Sequence, residues 1–296
     1  MPKVSICIAV YNVEKYIEQC VRSLFEQTLD DLEYIFVDDA SPDASIDVML
    51  RVLEDYPHRK HQVKLLRHET NQGVAVTRKD AIAVATGEYI IHCDPDDWVE
   101  LDMYEKMYSQ AVETNADMVW CNVKSFGWSS VRGKTEYHHQ GREGMIKGIL
   151  CGDIHGGLCN KLWKSELVKR NVDLSDDIFL CEDMRLNIQY LLDSCEYRFL
   201  SDSLYCYRKS ENSVSGHVNA GSVACQVKNI LFFEKILDKK IYGHSLDHMK
   251  LDILMQALIW GGMTFSQWHS FWMSAKVGIV KSKYSFKQKG IFCVRY

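Results

Sequence analysis

The chain has 296 residues, of which 47% are hydrophobic and 25% charged, and a formal net charge of −5. That length suits one large α/β domain with an appendage, and the composition excludes extensive disorder, low complexity and collagen-like repetition. The eleven cysteines are scattered, often inside apolar runs (Cys7, Cys93, Cys121), and form no Cys-x-x-Cys pair. A zinc site is therefore not expected, and reduced, buried thiols in a cytoplasmic protein are. The N-terminus, "MPKVSICIAVYN", runs straight into a strand pattern without a leader's long apolar region.

Val4 to Val10, "VSICIAV", is a β-rich apolar run without strict alternation, the pattern of a strand covered on both faces. Asn12 is placed to cap the helix that follows, with Glu14 in its first turn and Ile17, Val21, Leu24 and Phe25 at helical spacing. "EYIFVDD" (33–39) predicts a second strand. Asp43 then caps a second helix with Ile46, Met49, Leu50 and Leu53 on one face. "QVKLLRH" predicts a third strand, "NQG" (71–73) a turn, and "VAVTRKDAIAVATG" a helix closed by Gly87. "EYIIHC" predicts a fourth strand. Further on, "DMVWCNV" reads as another strand and "GWSSVRGKTEYHH" as a hairpin or loop. "GGLCNKLWKSEL" and "LCEDMRLNIQYLL" read as loops leading into helices, and "YCYRKSENSVSGH" as a strand running into a polar loop. From about Gly221 the pattern is helical to about residue 276.

Strand and helix alternate about four times, which predicts a mostly parallel sheet flanked by helices. Ligands of such sheets bind beyond the carboxyl ends of the strands. Tyr11-Asn12, Asp38-Asp39 and the cluster Asp94, Asp96, Asp97 all fall at those ends. The cluster, in "YIIHCDPDDWVE", places three carboxylates within four residues. Such a group repels itself unless a cation sits among it, and oxygen-only donors suit magnesium or manganese. The bland reading is a solvated turn, but the position after a buried strand favours the metal. The first turn, "AVYNVEKY", has no glycine and no Walker pattern is present, so bound phosphates would be held by metal rather than by a glycine cradle. A carboxylate at Asp38-Asp39 can accept from a nucleobase N–H, and Tyr11 can stack on the base; alone, a turn aspartate and a core-edge tyrosine explain both.

"VSICIAVYNVEKYIEQCVRSLFEQT", "YIFVDDASPDAS", "NQGVAVTRKDAIAVATGEYIIHCDPDD", "NKLWKSEL" and "CEDMRL" together resemble glycosyltransferase family 2, inverting enzymes of GT-A fold that use nucleotide-diphospho-sugars. The likeness runs over roughly residues 3 to 215, with Ala9 where the family has proline. It implies that Tyr11 and Asp39 contact the base, usually uracil, with Asp38 supporting that loop. It places Arg78 near the diphosphate, Asp94 near the ribose, and Asp96, with Asp97, on manganese or magnesium as the family's DXD motif. In Glu182-Asp183 the aspartate corresponds to the general base. Without the resemblance, Asp183 reads as a helix-cap aspartate, because "CEDMRLNIQYLL" begins a helix. Asn160 and Lys161 lie on the acceptor side or are structural; Trp98 walls the donor sugar or packs beneath the loop. His217 reaches the metal or diphosphate, or is a surface residue.

The expected organisation is a GT-A domain over residues 1–215 and a C-terminal helical region over 216–296. After Asp252 no acidic residue occurs, while Lys276, Lys281, Lys283, Lys287, Lys289 and Arg295 follow a segment rich in tryptophan and phenylalanine. Helix packing explains the aromatics; a peripheral contact with the inner face of the cell membrane explains aromatics and cations together. That contact suits a glycan or lipid-linked acceptor in surface polysaccharide synthesis. Nucleic acid is not an expected partner. The alternatives are a nucleotidyltransferase and a non-catalytic nucleotide-sugar binder.

Overall fold

The computed structural model describes residues 1–126, 141–172, 180–208 and 219–281, with side chains described to residue 273. In chain order the elements are β1 (Val4–Val10), α1 (Ile17–Phe25), β2 (Leu32–Asp38), α2 (Ser45–Glu54), a 3-10 turn (Pro57–Gln62), β3 (Val63–Arg67), α3 (Val74–Val84), β4 (Tyr89–His92) and β5 (Trp98–Val99). Then come α4 (Met103–Thr114), β6 (Met118–Phe126), α5 (Gly141–Leu150), β7 (Lys161–Lys164), α6 (Ser165–Arg170), α7 (Glu182–Asp193), β8 (Tyr197–Arg208), α8 (Ala220–Ile236), α9 (Lys239–Trp260) and α10 (Phe265–Lys281).

The strands form one mixed sheet in the order β3-β2-β1-β4-β7-β6-β8-β5. β3, β2, β1 and β4 are all parallel, which puts their carboxyl ends on one edge. Beyond β4 the sheet changes character: β7 is antiparallel to both β4 and β6, and β6 returns to parallel pairing with β8. The largely apolar strands β1 and β2 are buried almost throughout, because helices cover both faces; their polar Ser5 and Glu33 pair with each other, Ser5 Oγ donating to Glu33 Oε2 at 2.6 Å. Ile6, Ile8, Tyr34, Phe36, Leu24 and Phe25 are among the side chains that form the core beneath the site.

Several local expectations change. Asn12 does not cap α1. It takes a left-handed φ of 54°, and α1 starts five residues later at Ile17. The intervening backbone is held from the next loop instead: Val13 N–H donates to Ser45 Oγ at 2.9 Å and Glu14 N–H to Asp43 Oδ2 at 2.9 Å. Asp43 also takes the Ser45 N–H at 3.1 Å, so it serves the start of α2 and the segment between β1 and α1 together. On α2, Leu50 is exposed and Val48 and Val52 complete the buried face. α3 ends before Gly87, whose role is close approach: a Cβ there would lie 2.6 Å from Ser5 N on β1. The segments 156–167 and 94–100 contain the short strands β7 and β5, which are four and two residues long. The expected hairpin or loop over 127–139 lies outside the described residues, as does the polar loop after β8.

The chain divides into two compact units, one of residues 1–142 and 156–211, the other of residues 143–155 and 212–296. The first holds the whole sheet; the second contains α8, α9, α10 and most of α5. In the second, α8 begins with a reciprocal cap in which Asn219 Oδ1 accepts the Ser222 N–H at 3.0 Å and Ser222 Oγ accepts the Asn219 N–H at 2.7 Å. The ten cysteines among the described residues are free thiols. Among the described residues no helix is long and apolar enough to cross a membrane.

Candidate active site

The parallel register sets the geometry. Val10 pairs with Asp38, and the Asp39 N–H donates to Val10 O at 2.9 Å, so Tyr11 and Asp39 leave the sheet side by side. Tyr11 is 47% exposed, an uncommon exposure for a ring next to a buried strand. Asp38 turns back into its own loop, where Oδ1 accepts the Ser41 N–H at 2.9 Å and Ala40 adopts a φ of 55°. Asp39 is buried and carries more of the local structure. Its Oδ1 accepts the Gln72 N–H at 2.8 Å and faces His68 Nδ1 at 2.7 Å, while Oδ2 accepts the Gly73 N–H at 2.9 Å. Gly73 has a φ of +87°, which favours glycine at the point where the chain turns into α3.

The loop after β4 sorts its three carboxylates. Asp97 is 1% exposed, and both of its oxygens are used within the protein: Tyr205 Oη donates to Oδ2 at 2.6 Å and Arg208 N–H to Oδ1 at 2.7 Å. Burial first, then Asp94 and Asp96, push its pKa up to about 8. Asp96 is partly exposed, and burial with the neighbouring Asp94 raises its pKa to about 6. Asp94, with a side chain 38% exposed, accepts from Arg78 Nη2 at 3.1 Å. Arg208 closes the side of this loop. Its Nε donates to Asp96 O at 2.8 Å, and its guanidinium lies 4.8 Å from the Trp98 ring centroid and 5.3 Å from that of Tyr16. Trp98 also packs against Phe126 at 4.6 Å between centroids.

The second acidic pair opens α7. Cys181, with a φ of 60°, turns the chain into the helix. Glu182 is 6% exposed and lies 3.4 Å from Arg78 Nη2, the same nitrogen that binds Asp94. Arg78 therefore joins the loop after β4 to the start of α7. Burial lowers the Arg78 pKa, but Glu182, Asp94 and Asp183 outweigh it and hold the guanidinium firmly charged. Burial raises Glu182 to about 7, opposed by Arg78 and reinforced by Asp183. Asp183 is partly exposed, and its Oδ1 accepts the Met184 N–H at 2.7 Å. Beneath the pair, Lys161 is fully buried, donating to Gly157 O at 2.7 Å and Asn160 Oδ1 at 2.9 Å, while Asn160 donates to Cys121 O at 2.6 Å. Burial depresses Lys161 to about 8.

The Glycosyl transferase family 2 profile matches residues 5–179, more than half of the chain. The chain belongs to glycosyltransferase family 2. A putative glycosyltransferase, EpsH of Bacillus subtilis, is 32% identical over 223 residues, which are 72% of this chain and 62% of that protein. The chain thus spans somewhat less than two thirds of that relative's length. Among solved structures, TarS residues 1–349 of S. aureus in complex with UDP-GlcNAc superposes with a TM-score of 0.67 at 19% identity, covering 94% of this chain and 83% of that one. The mannosyltransferase PcManGT of Pyrobaculum calidifontis, in complex with GDP-Man and Mn2+, gives a TM-score of 0.61 at 16% identity and covers 99% and 83%. These likenesses establish the GT-A fold for this chain. The two neighbours carry different nucleotides, so the base preference has to come from this chain's own residues.

The geometry brings Asp94, Arg78 and Glu182 into direct contact and sets Asp96 and Asp183 beside them along the chain. His217 lies outside the described residues. Two contributors carry no sequence motif. Arg208 follows an ordinary strand pattern, and Tyr205, which donates to Asp97 and whose oxygen accepts the Asp94 N–H at 3.2 Å, reads as a core tyrosine. Both come from β8, more than one hundred residues beyond the loop that they shape.

Proposed function

We propose that the chain transfers a sugar, with inversion, from a nucleotide-diphospho-sugar, a UDP-sugar, to a hydroxyl of a glycan or lipid-linked acceptor. The observation that carries the reading is the Asp94–Arg78–Glu182 connection, which ties the acidic loop after β4 to the carboxylates that open α7. One end then suits the diphosphate and the other the attacking hydroxyl. Tyr11 stacks on the base, Asp39 accepts its ring N–H, Asp38 holds the loop between them, and Asp94 faces the ribose.

The residues present fit a divalent cation of the magnesium or manganese kind. Among the described residues no three His, Cys, Asp or Glu side chains converge into a cage, and Asp96 is an accessible oxygen donor beside another carboxylate. A hard cation that keeps positions for phosphate and water is served by such a set. We assign the metal to Asp96. Asp97 was expected to share it, but its two oxygens are engaged with Tyr205 and Arg208. When bound, the cation stabilises the negative charge of the departing diphosphate. Arg78 adds its charge from behind the carboxylates rather than from an open surface, since its side chain is 9% exposed.

The acceptor hydroxyl is a weak nucleophile until its proton is removed. Asp183, partly exposed at the start of α7, is the base we assign: it takes the proton as oxygen bonds to the anomeric carbon and the diphosphate leaves from the opposite face. Glu182, buried against Arg78, orients the pair. Ile259, Trp260, Phe265 and Met273 of the second unit are exposed, and with the basic C-terminus they support peripheral contact with an anionic membrane surface that carries the acceptor. The test is transfer from a panel of UDP- and GDP-sugars with manganese. Release of the nucleoside diphosphate supports the reading, and release of pyrophosphate from a sugar phosphate and nucleoside triphosphate supports a nucleotidyltransferase instead.

A further inference from the structure

His68, immediately after β3, is more than a strand-end histidine. Its main-chain N–H extends the β2–β3 ladder by donating to Asp38 O at 2.9 Å, which fixes the ring's origin. The ring then spans two carboxylates from different elements: Nδ1 lies 2.7 Å from Asp39 Oδ1, and Nε2 lies 3.0 Å from Asp80 Oδ2 on α3. The His68 side chain is 9% exposed, that of Asp39 5% and that of Asp80 46%. An imidazole can donate from both nitrogens only as the imidazolium; the neutral ring turns a lone pair toward one of the two acceptors. Two ionised carboxylates on opposite sides therefore select the charged ring.

Asp39 is the carboxylate assigned to the base. A carboxylate has about four lone-pair positions, and the His68 ring with the Gln72 and Gly73 N–H groups uses three of them. One position, on Oδ2, is left for a ligand. Its direction depends on Oδ1 staying where His68 and Gln72 hold it. We propose that His68, backed by Asp80, is a positioning residue that sets the Asp39 carboxylate for nucleotide binding, so that donor affinity depends on the charge of this ring. The inference rests on the assignment of Asp39 to the base.

The charged groups that face the ring are Asp39 from the end of β2 and Asp80 from α3; Arg67 and Glu69, its neighbours along the chain, are exposed. Partial burial pulls the imidazole's pKa down, but the hydrogen bonds and charges of Asp39 and Asp80 outweigh it and raise it above the ordinary histidine value. The favourable arrangement is complete below that ordinary value and is lost as pH rises through the raised one. Nucleotide affinity therefore falls as pH rises through that raised value, and the loss appears in the KM for the donor, with kcat at saturation unchanged.

The experiment is calorimetric titration of the full chain with UDP, GDP and dTDP in manganese, from about pH 6 to about pH 9, for wild type, Asp80→Asn and His68→Gln. Asp80 is half-exposed, so its amide variant folds. In Asp80→Asn the pH at which affinity declines moves to lower values while affinity at the acid end is kept. In His68→Gln affinity falls roughly tenfold at the acid end, the loss of one charge-assisted hydrogen bond, and the pH-dependent decline disappears. A wild-type profile shared by both variants overturns the role of His68 and leaves the proposed function standing. Failure of the wild type to bind any of the three nucleotides overturns both.

Discussion

The two acidic pairs of the site look alike in the sequence and differ from within in the same way. After β4, Asp97 is 1% exposed and bound by Tyr205 and Arg208, while its neighbour Asp96 is partly exposed. At the start of α7, Glu182 is 6% exposed and bound to Arg78, while its neighbour Asp183 is partly exposed. Each pair therefore contains one carboxylate that builds the site and one that faces it. Adjacent residues in a turn or a first helical turn point in different directions, so one is drawn into the protein while the other stays accessible. Burying a charged group requires compensating donors, and the inward member of each pair has them.

Substitutions that remove one member at a time test this division. The largest effect is expected for Asp183→Asn: kcat falls by roughly a thousandfold, within the usual range for a lost general base, while nucleotide affinity and thermal midpoint stay at wild-type values. A rate within a few-fold of wild type removes Asp183 from the role of base. Next, Asp96→Asn lowers manganese-dependent nucleotide affinity by roughly tenfold or more and leaves the fold intact; the readout is nucleotide titration with and without the metal. Its neighbour behaves differently. Asp97→Asn leaves one of the Tyr205 and Arg208 donors without a good acceptor, and unfolding in denaturant records a loss of about 1–3 kcal/mol.

The smallest effect separates Glu182 from Asp183. Burial raises Glu182 to about 7, so the folded state holds its proton more tightly than the unfolded chain. The stability this contributes is complete below the unfolded value and is lost as pH rises through about 7. Glu182→Gln flattens that part of the stability profile, which melting curves from about pH 4 to about pH 8 record. An unchanged profile means that Glu182 titrates as an ordinary carboxylate.

How much of this was visible in the sequence follows the distance over which each feature is determined. The strands β1, β2 and β4 are rich in apolar and β-branched residues without strict alternation, and burial on both faces is a local property, so they were legible. β5 and β7 were not: "WV" and "KLWK" are too short for periodicity, and β7 begins with a lysine that is fully buried. The cap expected at Asn12 failed because Asp43 and Ser45, some thirty residues away, hold that backbone instead. The acidic motifs were visible as clusters, but not which member of each was inward. That depends on Tyr205 and Arg208 for Asp97 and on Arg78 for Glu182, and no spacing rule connects them. His68 gave no signal as a single histidine; its meaning comes from α3 and the end of β2 closing on either side of it.

In the proposed function the accessible carboxylates serve a metal-bound nucleoside diphosphate. Its most direct test is calorimetric titration of the wild-type chain with UDP, GDP and dTDP, with and without manganese. The expected result is saturable binding of UDP that strengthens when manganese is present. Absence of nucleotide binding in both conditions, or UDP binding indifferent to the metal, contradicts it.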